Sequence, residues 1–169
     1  MVSGRGTRKQ RKVLPAIGRA IARRPFAMRS GPVVKVLERV SRRLTKGRKG
    51  ILDVAGIPAM EITVPGRRSG VPRTVTLLYV PFSTDDTAFL LVGSNWGKPD
   101  HPSWSANLLH AERADLHILG ERFEVKVRRL TGTERERAWQ RAVEFWPGYE
   151  MEQRLAGDRV FRLFELTRA

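Results

Sequence analysis

The sequence predicts an α+β fold, a small barrel of mostly antiparallel strands with flanking helices. Segments of alternating apolar and polar residues recur from residue 60 onward, which is typical of strands with one buried face. Only short helical segments separate them, so neighbouring strands should pair without long parallel crossovers. This order favours a small barrel over a doubly wound sheet.

Six strands are predicted from these patterns. Most of them alternate, whereas one continuous apolar run suits a fully buried strand. A two-residue turn at Gly120-Glu121, with glycine first, is expected to join two of the strands as a hairpin. The predicted strands are Met60–Val64, Thr74–Val80, the continuous run Ala88–Val92, a strand that includes Leu116 and Ile118, Phe123–Val127, and Val160–Leu166.

Three helical segments are expected among these strands. His101–Ala111 reads as a short helix. Thr133 and Glu136 form a capping box, which predicts a helix that ends at Trp146. A shorter helix is expected from Tyr149.

Charge divides the chain into two parts. The 169 residues carry a net charge of +15, and residues 1–50 hold 16 Lys and Arg against one acid, so they account for all of it. Residues 51–169 hold 16 basic and 16 acidic side chains. We therefore expect a basic N-terminal extension, residues 1–50, and one barrel domain, residues 51–169. The neutral domain gives no reason to expect specific nucleic-acid binding.

The extension combines a basic tail with helical patterns. Residues 1–12 have few apolar side chains and are expected to be disordered. Residues 13–21 predict a basic amphipathic helix, and residues 33–44 predict a second one. An apolar face flanked by arginines favours peripheral association with an anionic surface on the inner face of the cell membrane. The alternatives are a solvated tail with the second helix packed on the barrel, and a non-enzymatic protein that binds nucleic acid through this extension.

Composition excludes several kinds of site. The chain has no cysteine, so disulfides, thiolate nucleophiles and cysteine-bound metals are absent. Its three histidines show no zinc-ligand spacing, and we expect no metal. No apolar run approaches the roughly 20 residues that cross a bilayer. A cytoplasmic protein is therefore expected.

A basic, glycine-rich segment between the first two strands is the first candidate site. Two glycines free the backbone to turn and to present N–H groups, while arginines and a serine add donors for an anion. The alternative is a hairpin turn with solvated arginines. The donors and glycines of this segment are Gly66, Arg67, Arg68, Ser69, Gly70 and Arg73.

The segment Gly93–Pro99, directly after the buried strand, is the second candidate. Small polar residues and glycine at a strand end can lie against a flat ring, and backbone groups commonly grip such rings. The alternative is an ordinary loop with Trp96 packed on the core.

The predicted helix after this loop carries a few polar candidates. Trp104 and Leu108 share a face and are expected to pack structurally. His101 is expected to cap the helix, with ligand contact as the alternative. Asn107 is expected to brace the preceding loop by hydrogen bonds.

Aromatic residues cluster over Phe145–Tyr149, which is more typical of a core than of a site. The alternative is that the Tyr149 hydroxyl, at the mouth of a pocket, donates a hydrogen bond or a proton to a substrate.

Taken together, these segments resemble the deazaflavin (F-420)-dependent nitroreductase family over about residues 51–167. Their order and spacing match those of the family, and the helix entry Leu130–Arg135 is also similar. The matching motifs are Gly66-Arg67-Arg68-Ser69-Gly70 with Pro72-Arg73, Ser94-Asn95-x-Gly97, His101-Pro102-x-Trp104-x-x-Asn107-Leu108, and Pro147-Gly148-Tyr149.

The resemblance implies a split β-barrel, related to flavin-nucleotide-binding oxidoreductases, that binds coenzyme F-420. It implies that the arginine-rich loop holds the phosphodiester and oligoglutamate tail of the coenzyme. It also implies that the later segment runs along the deazaflavin ring. The cofactor-binding residues carried over are Gly66, Arg67, Arg68, Ser69, Gly70, Arg73, Ser94, Asn95 and Gly97.

This chain departs from the family pattern near the expected substrate pocket. Asn95 stands where many members have Lys, which removes one cation, and Trp96 stands where many have Gly. Trp146 and Glu152 stand at positions where better-known members of the family have Tyr. Tyr149 is therefore the tyrosine that remains at this end of the helix. We expect Trp96, Trp146 and Tyr149 to line the pocket, and the choice of substrate does not transfer.

The implied reaction is hydride transfer from the reduced deazaflavin to a quinone, a nitroaromatic compound or an activated enone. Tyr149 is the catalytic candidate, which would orient or protonate the acceptor. The nearest alternative is an FMN-binding barrel of the same shape. The sequence predicts no oligomeric state.

Overall fold

In a computed structural model, one antiparallel sheet of seven strands forms the framework of the described residues, 58–118 and 120–169. The disordered tail, the two helices and the membrane-binding surface that are predicted for residues 1–50 lie outside the described residues. The strands are β1 (Ala59–Pro65), β2 (Pro72–Leu78), β3 (Val80–Pro81), β4 (Ala88–Val92), β5 (Arg113–Ile118), β6 (Glu121–Arg129) and β7 (Leu163–Arg168).

The strand order, β2-β1-β5-β6-β7-β4-β3, makes the sheet curl. Strands β2 and β3 lie at opposite edges of the sheet, yet only Tyr79 separates them along the chain. The two edges must therefore approach each other, which bends the sheet into a half-barrel. This confirms the predicted barrel of antiparallel strands.

Three helices and one short 3-10 turn complete the described chain. They are α1 (Ser103–Leu108), α2 (Gly132–Phe145), α3 (Gly148–Leu155) and the 3-10 turn Asn95–Gly97. The predicted short helix at Tyr149 is confirmed, and the helix predicted to end at Trp146 ends one residue earlier, with Trp146 as its C-cap. The predicted capping box is wrong, because Thr133 already lies inside α2, whose N-cap is Thr131 and has no side-chain cap.

Strand β4 shows why a continuous apolar run suits this fold. All five of its residues are buried, as predicted. Leu90 and Val92 face a core formed with α2 and α3, whereas Phe89 and Leu91 face the core inside the sheet. A strand that is covered on both faces has no position at which a polar side chain would be favoured.

Two predicted strands have different bounds in the structure. The predicted strand Thr74–Val80 divides at Tyr79, where the chain passes from one sheet edge to the other. The last strand begins at Leu163, because Val160 is 60% exposed and the carbonyl of Arg162 accepts a hydrogen bond from Gly93 outside the ladder.

The hairpin between β5 and β6 also differs from its prediction. Ile118 pairs with Glu121, so Glu121 is already part of β6. Gly120, with φ +90°, is the second loop residue rather than the first. Its positive φ still explains why glycine is favoured there.

Candidate functional site

The basic segment after β1 is a hairpin loop of six residues. Pro65 pairs with Pro72, which leaves residues 66–71 as the loop. The Gly66 amide donates to the Val71 carbonyl (2.9 Å), and the Gly70 amide donates to the Gly66 carbonyl (2.7 Å). The alternative interpretation as a hairpin turn is therefore correct, and anion binding by the same loop stays a prediction.

Three arginines are exposed on this loop and at the start of β2, and together with the loop they are called the arginine loop. Arg67, Arg68 and Arg73 are all exposed to solvent. Across the described residues, none of the three forms an ion pair with an acidic side chain. Their guanidinium groups are therefore available to an external anion.

Asn107 on α1 tethers this loop. Its Oδ1 accepts hydrogen bonds from the Arg67 backbone N (3.2 Å) and from Arg67 Nη1 (3.4 Å). Asn107 is only 8% exposed, so the tether is fixed to a packed helix. We expected Asn107 to brace the loop that precedes α1, whereas it braces the arginine loop 40 residues away.

The second candidate segment contains three consecutive residues with positive φ. The values are +50° for Asn95, +58° for Trp96 and +70° for Gly97. This conformation costs about 1–2 kcal/mol at each residue other than glycine, and such strain is typically concentrated at functional sites. The Asn95 side chain donates to the Asp100 carbonyl (2.8 Å), which offsets part of that cost.

Arg159 holds the same turn from outside. Its Nη1 donates to the Gly93 carbonyl (2.9 Å), its Nη2 to the Ser94 carbonyl (2.6 Å), and its Nε and Nη2 to the Lys98 carbonyl (2.9 and 2.7 Å). No local sequence pattern marks Arg159, because its partners lie 61 to 66 residues away.

Gly97 allows the turn to lie directly against α3. A Cβ at this position would lie 2.8 Å from the Glu152 carbonyl oxygen and 2.9 Å from Leu155 Cβ. Glycine is thus required by the contact between the turn and the helix. Contact of Gly97 with a cofactor ring stays a prediction.

Glu152 is a buried acid below this turn. It is 5% exposed, and its Oε2 has no hydrogen-bond partner among the described residues. Burial raises the pKa of Glu152 from 4.5 to about 7, although the Ser94 hydroxyl, the Arg159 charge, the Trp96 amide and the Trp146 indole lower it. The carboxyl therefore titrates near neutral pH.

The predicted pocket residues are only partly brought together. Trp96 and Trp146 both lie beside the Glu152 carboxyl. Tyr149 is 3% exposed and packs in the core, with its ring 6.3 Å from that of Trp139. The core interpretation of the aromatic cluster is thus correct for the Tyr149 ring, and a catalytic role for its hydroxyl stays a prediction.

Arg162 links the two candidate loops. Its carbonyl accepts from the Gly93 amide (2.8 Å), and its Nη1 donates to Ser105 Oγ on α1 (3.3 Å). Burial lowers the pKa of Arg162, and the charges of Arg129 and Arg67 lower it further. Arg67 on the hairpin loop and Arg129 on β6 therefore add to the positive charge beside Arg162.

His101 does not cap α1. The N-cap is Pro102, without a side-chain hydrogen bond, and His101 Nδ1 is buried and has no partner among the described residues. Trp104 and Leu108 pack on the barrel core, as expected.

Residues 58–118 and 120–169 contain no cluster of three or more acidic or histidine side chains that could hold a metal ion. No helix within these ranges is both long and apolar enough to cross a membrane.

Comparison with protein families supports the resemblance read from the motifs. The model of the F420H(2)-dependent quinone reductase family matches residues 35–161. An F420H(2)-dependent quinone reductase of Mycobacterium tuberculosis is 31% identical over 81 residues, which make up 48% of this chain and 52% of that protein. The chain thus spans about half the length of the curated relatives it matches.

Two solved structures share this fold. A structure of an F420-H2 dependent reductase, FDR-A, is 31% identical, with a TM-score of 0.57, and the match covers 64% of this chain and 93% of that one. A structure described as a domain-swapped dimer is 30% identical, with a TM-score of 0.58, and the match covers 80% and 99% of the two chains. They confirm the split-barrel fold.

Proposed function

We propose that this chain, which belongs to the F420H(2)-dependent quinone reductase family, transfers a hydride from reduced coenzyme F-420 to a quinone. The observation that carries the proposal is the placement of two loops around α1. Asn107 tethers the arginine loop to this helix, and Arg162 connects the same helix to the strand end that precedes the left-handed turn.

The arginine loop fits the acidic tail of the coenzyme. Guanidinium groups bind phosphate and carboxylate with paired hydrogen bonds, and three of them here have no competing acid among the described residues. The tether from Asn107 fixes the Arg67 backbone before a ligand arrives, which reduces the entropy lost on binding. We assign the tail to Arg67, Arg68 and Arg73, with Gly66, Ser69 and Gly70 shaping the loop.

The turn after β4 is the proposed wall of the ring site. Arg159 fixes the backbone of Ser94 and of its neighbours, so their polar groups are oriented in advance. When bound, the reduced deazaflavin supplies the hydride. The chain's task is to hold the two reactants together and to exclude water, for which Trp96 and Trp146 beside Glu152 are suitable.

Replacing Arg67, Arg68 and Arg73 together by alanine is expected to weaken coenzyme binding by about tenfold to a hundredfold, because each exposed guanidinium contributes about 0.5–1 kcal/mol of solvent-screened attraction. The dissociation constant for F-420 in low salt is the measurement. A control with the same charge change, Arg122, Lys126 and Arg137 to alanine, removes exposed cations elsewhere and should bind nearly as wild type. Equal affinities of the two triple variants would refute the tail assignment.

A Tyr149→Phe variant tests the proposed catalytic hydroxyl. The substitution keeps the ring packed against Trp139 and removes only the oxygen. If the hydroxyl orients or protonates the acceptor, kcat for quinone reduction should fall by at least about a hundredfold while Tm stays unchanged. An unchanged kcat would leave Tyr149 as a core residue only.

The family favours quinones among the acceptors. Nitroaromatic compounds and activated enones remain alternative acceptors, to be tested in the same assay. FMN remains the alternative cofactor. The arginine loop favours the longer anion, F-420, because FMN carries a single phosphate.

We also retain the division into a basic extension, residues 1–50, and a barrel domain, residues 51–169. Peripheral binding of the extension to an anionic membrane stays a prediction. Co-sedimentation of the full chain with anionic vesicles, compared with a chain that starts near Val33, is its test.

A further inference from the structure

A basic cavity lies at the start of α2, outside the turn assigned to the ring. It encloses about 260 Å³ and is lined by His101, Arg129, Arg135 and Arg162, together with apolar side chains and the chain entering the helix. No acidic residue is among its lining residues. Among the described residues, Arg129 and Arg162 form no ion pair, and Arg135 forms only a long one, 3.8 Å from Glu136, which lies outside the cavity lining.

Two polar atoms of this cavity's lining residues are buried and unpartnered within the described chain. They are His101 Nδ1 and Arg135 Nε. A guanidinium Nε is always a donor, and leaving a buried donor unpaired costs about 1–3 kcal/mol. An acceptor bound in the cavity would remove that cost.

The start of α2 adds to the positive field. The helix runs for 14 residues, and its N-cap, Thr131, makes no side-chain hydrogen bond to the first amides. The amides at the start of a helix and its dipole favour an anion there. Together with the cavity and the unpaired donors, these amides favour an anionic ligand.

The charges in the cavity act on each other. Burial lowers the pKa of His101, and Arg162, Arg159 and Arg129 lower it further. Burial and these neighbouring cations thus favour the neutral form of the His101 imidazole.

We propose that this cavity is a binding site for a phosphate-class oxyanion, held by Arg129, Arg135, Arg162 and His101. Planar guanidinium forks match the oxygens of such an anion, and three of them suit the several oxygens of a phosphate group better than the two of a carboxylate. The anion comes from a separate phosphorylated molecule or from the phosphodiester of the coenzyme, and in the second case the arginine loop holds only the oligoglutamate part of the tail. Only the second source depends on the proposed function.

Titration of the full chain with inorganic phosphate, at constant ionic strength maintained with chloride, tests the site. The reporter is the imidazole ¹⁵N signal of His101, identified by its loss in His101→Gln. We expect a saturable shift and a rise in the pKa of His101 toward 6.5, because a bound anion favours the protonated ring. No saturable shift, or an equal response to chloride, would overturn the proposal.

Two variants test whether phosphate binds in this cavity. Arg129→Gln changes an exposed side chain at the rim and should weaken phosphate binding about tenfold, and Arg135→Gln removes the unpaired donor. Arg137→Gln, on the exposed face of α2, should bind phosphate as wild type. Equal phosphate affinity of Arg129→Gln and Arg137→Gln would overturn the proposal even if Arg135→Gln does not fold.

A final arm adds coenzyme F-420 to the phosphate-loaded protein. Competitive displacement identifies the coenzyme phosphodiester as the source, whereas unchanged phosphate binding identifies a separate phosphorylated molecule. Absence of coenzyme binding with phosphate binding intact would count against the proposed function alone.

Discussion

Replacing Arg159 by methionine is expected to lower the free energy of unfolding by about 3 kcal/mol. The variant loses four hydrogen bonds to three carbonyls, those of Gly93, Ser94 and Lys98. It also loses the cation–π contact of the guanidinium, whose Cζ lies 4.6 Å from the centre of the Phe161 ring, and both losses act in the same direction. Urea unfolding measures the loss.

The same variant should also lose order locally. Three consecutive residues of positive φ store strain that Arg159 helps to offset, so amide hydrogen exchange at Gly97 and Lys98 should accelerate. Arg154→Met, an exposed arginine on α3, is the control. If both variants unfold with the free energy of the wild type, Arg159 does not hold the turn.

Stability is expected to depend on pH through Glu152. Its folded pKa of about 7 lies above its ordinary value of 4.5, so the folded chain binds more protons than the unfolded chain between these values. The free energy of unfolding therefore decreases as pH rises from 4.5 to 7, by about 3 kcal/mol from this group, and the full penalty remains above pH 7.

A Glu152→Gln variant should lack this dependence, because an amide stays neutral. The variant should match the wild type near pH 4.5 and exceed its unfolding free energy above pH 7. Glu150→Gln, at an exposed position of the same helix, should follow the wild-type curve. A constant difference between wild type and Glu152→Gln across this range would show that the carboxyl is not buried as described.

Local patterns predict the strands of this protein well because burial repeats along them. Ala88–Val92 has both predicted ends, since an uninterrupted apolar run is favoured only where both faces are covered. The break at Tyr79 was not predicted, because closing a barrel is a property of the whole sheet. Neither was the entry to α2, where Thr131 rather than Thr133 is the N-cap.

The candidate site also has a part that local sequence patterns predict and a part that they do not. The arginine loop and the turn after β4 are contiguous in sequence, so their motifs identify them. Arg159 and Arg162 act through bonds to residues far away in sequence, which no local spacing reveals. For Glu152 a signal existed: Tyr149, Glu152 and Ala156 share one helix face, and both neighbours are buried apolar residues.

Equilibrium titration of the full chain with coenzyme F-420, and in parallel with FMN, tests the central claim most directly. We predict saturable F-420 binding in low salt that weakens as salt is added, because the arginine loop binds an acidic tail. FMN, with its shorter anionic group, should bind more weakly. No affinity for F-420 in low salt, or tighter binding of FMN, would contradict the account.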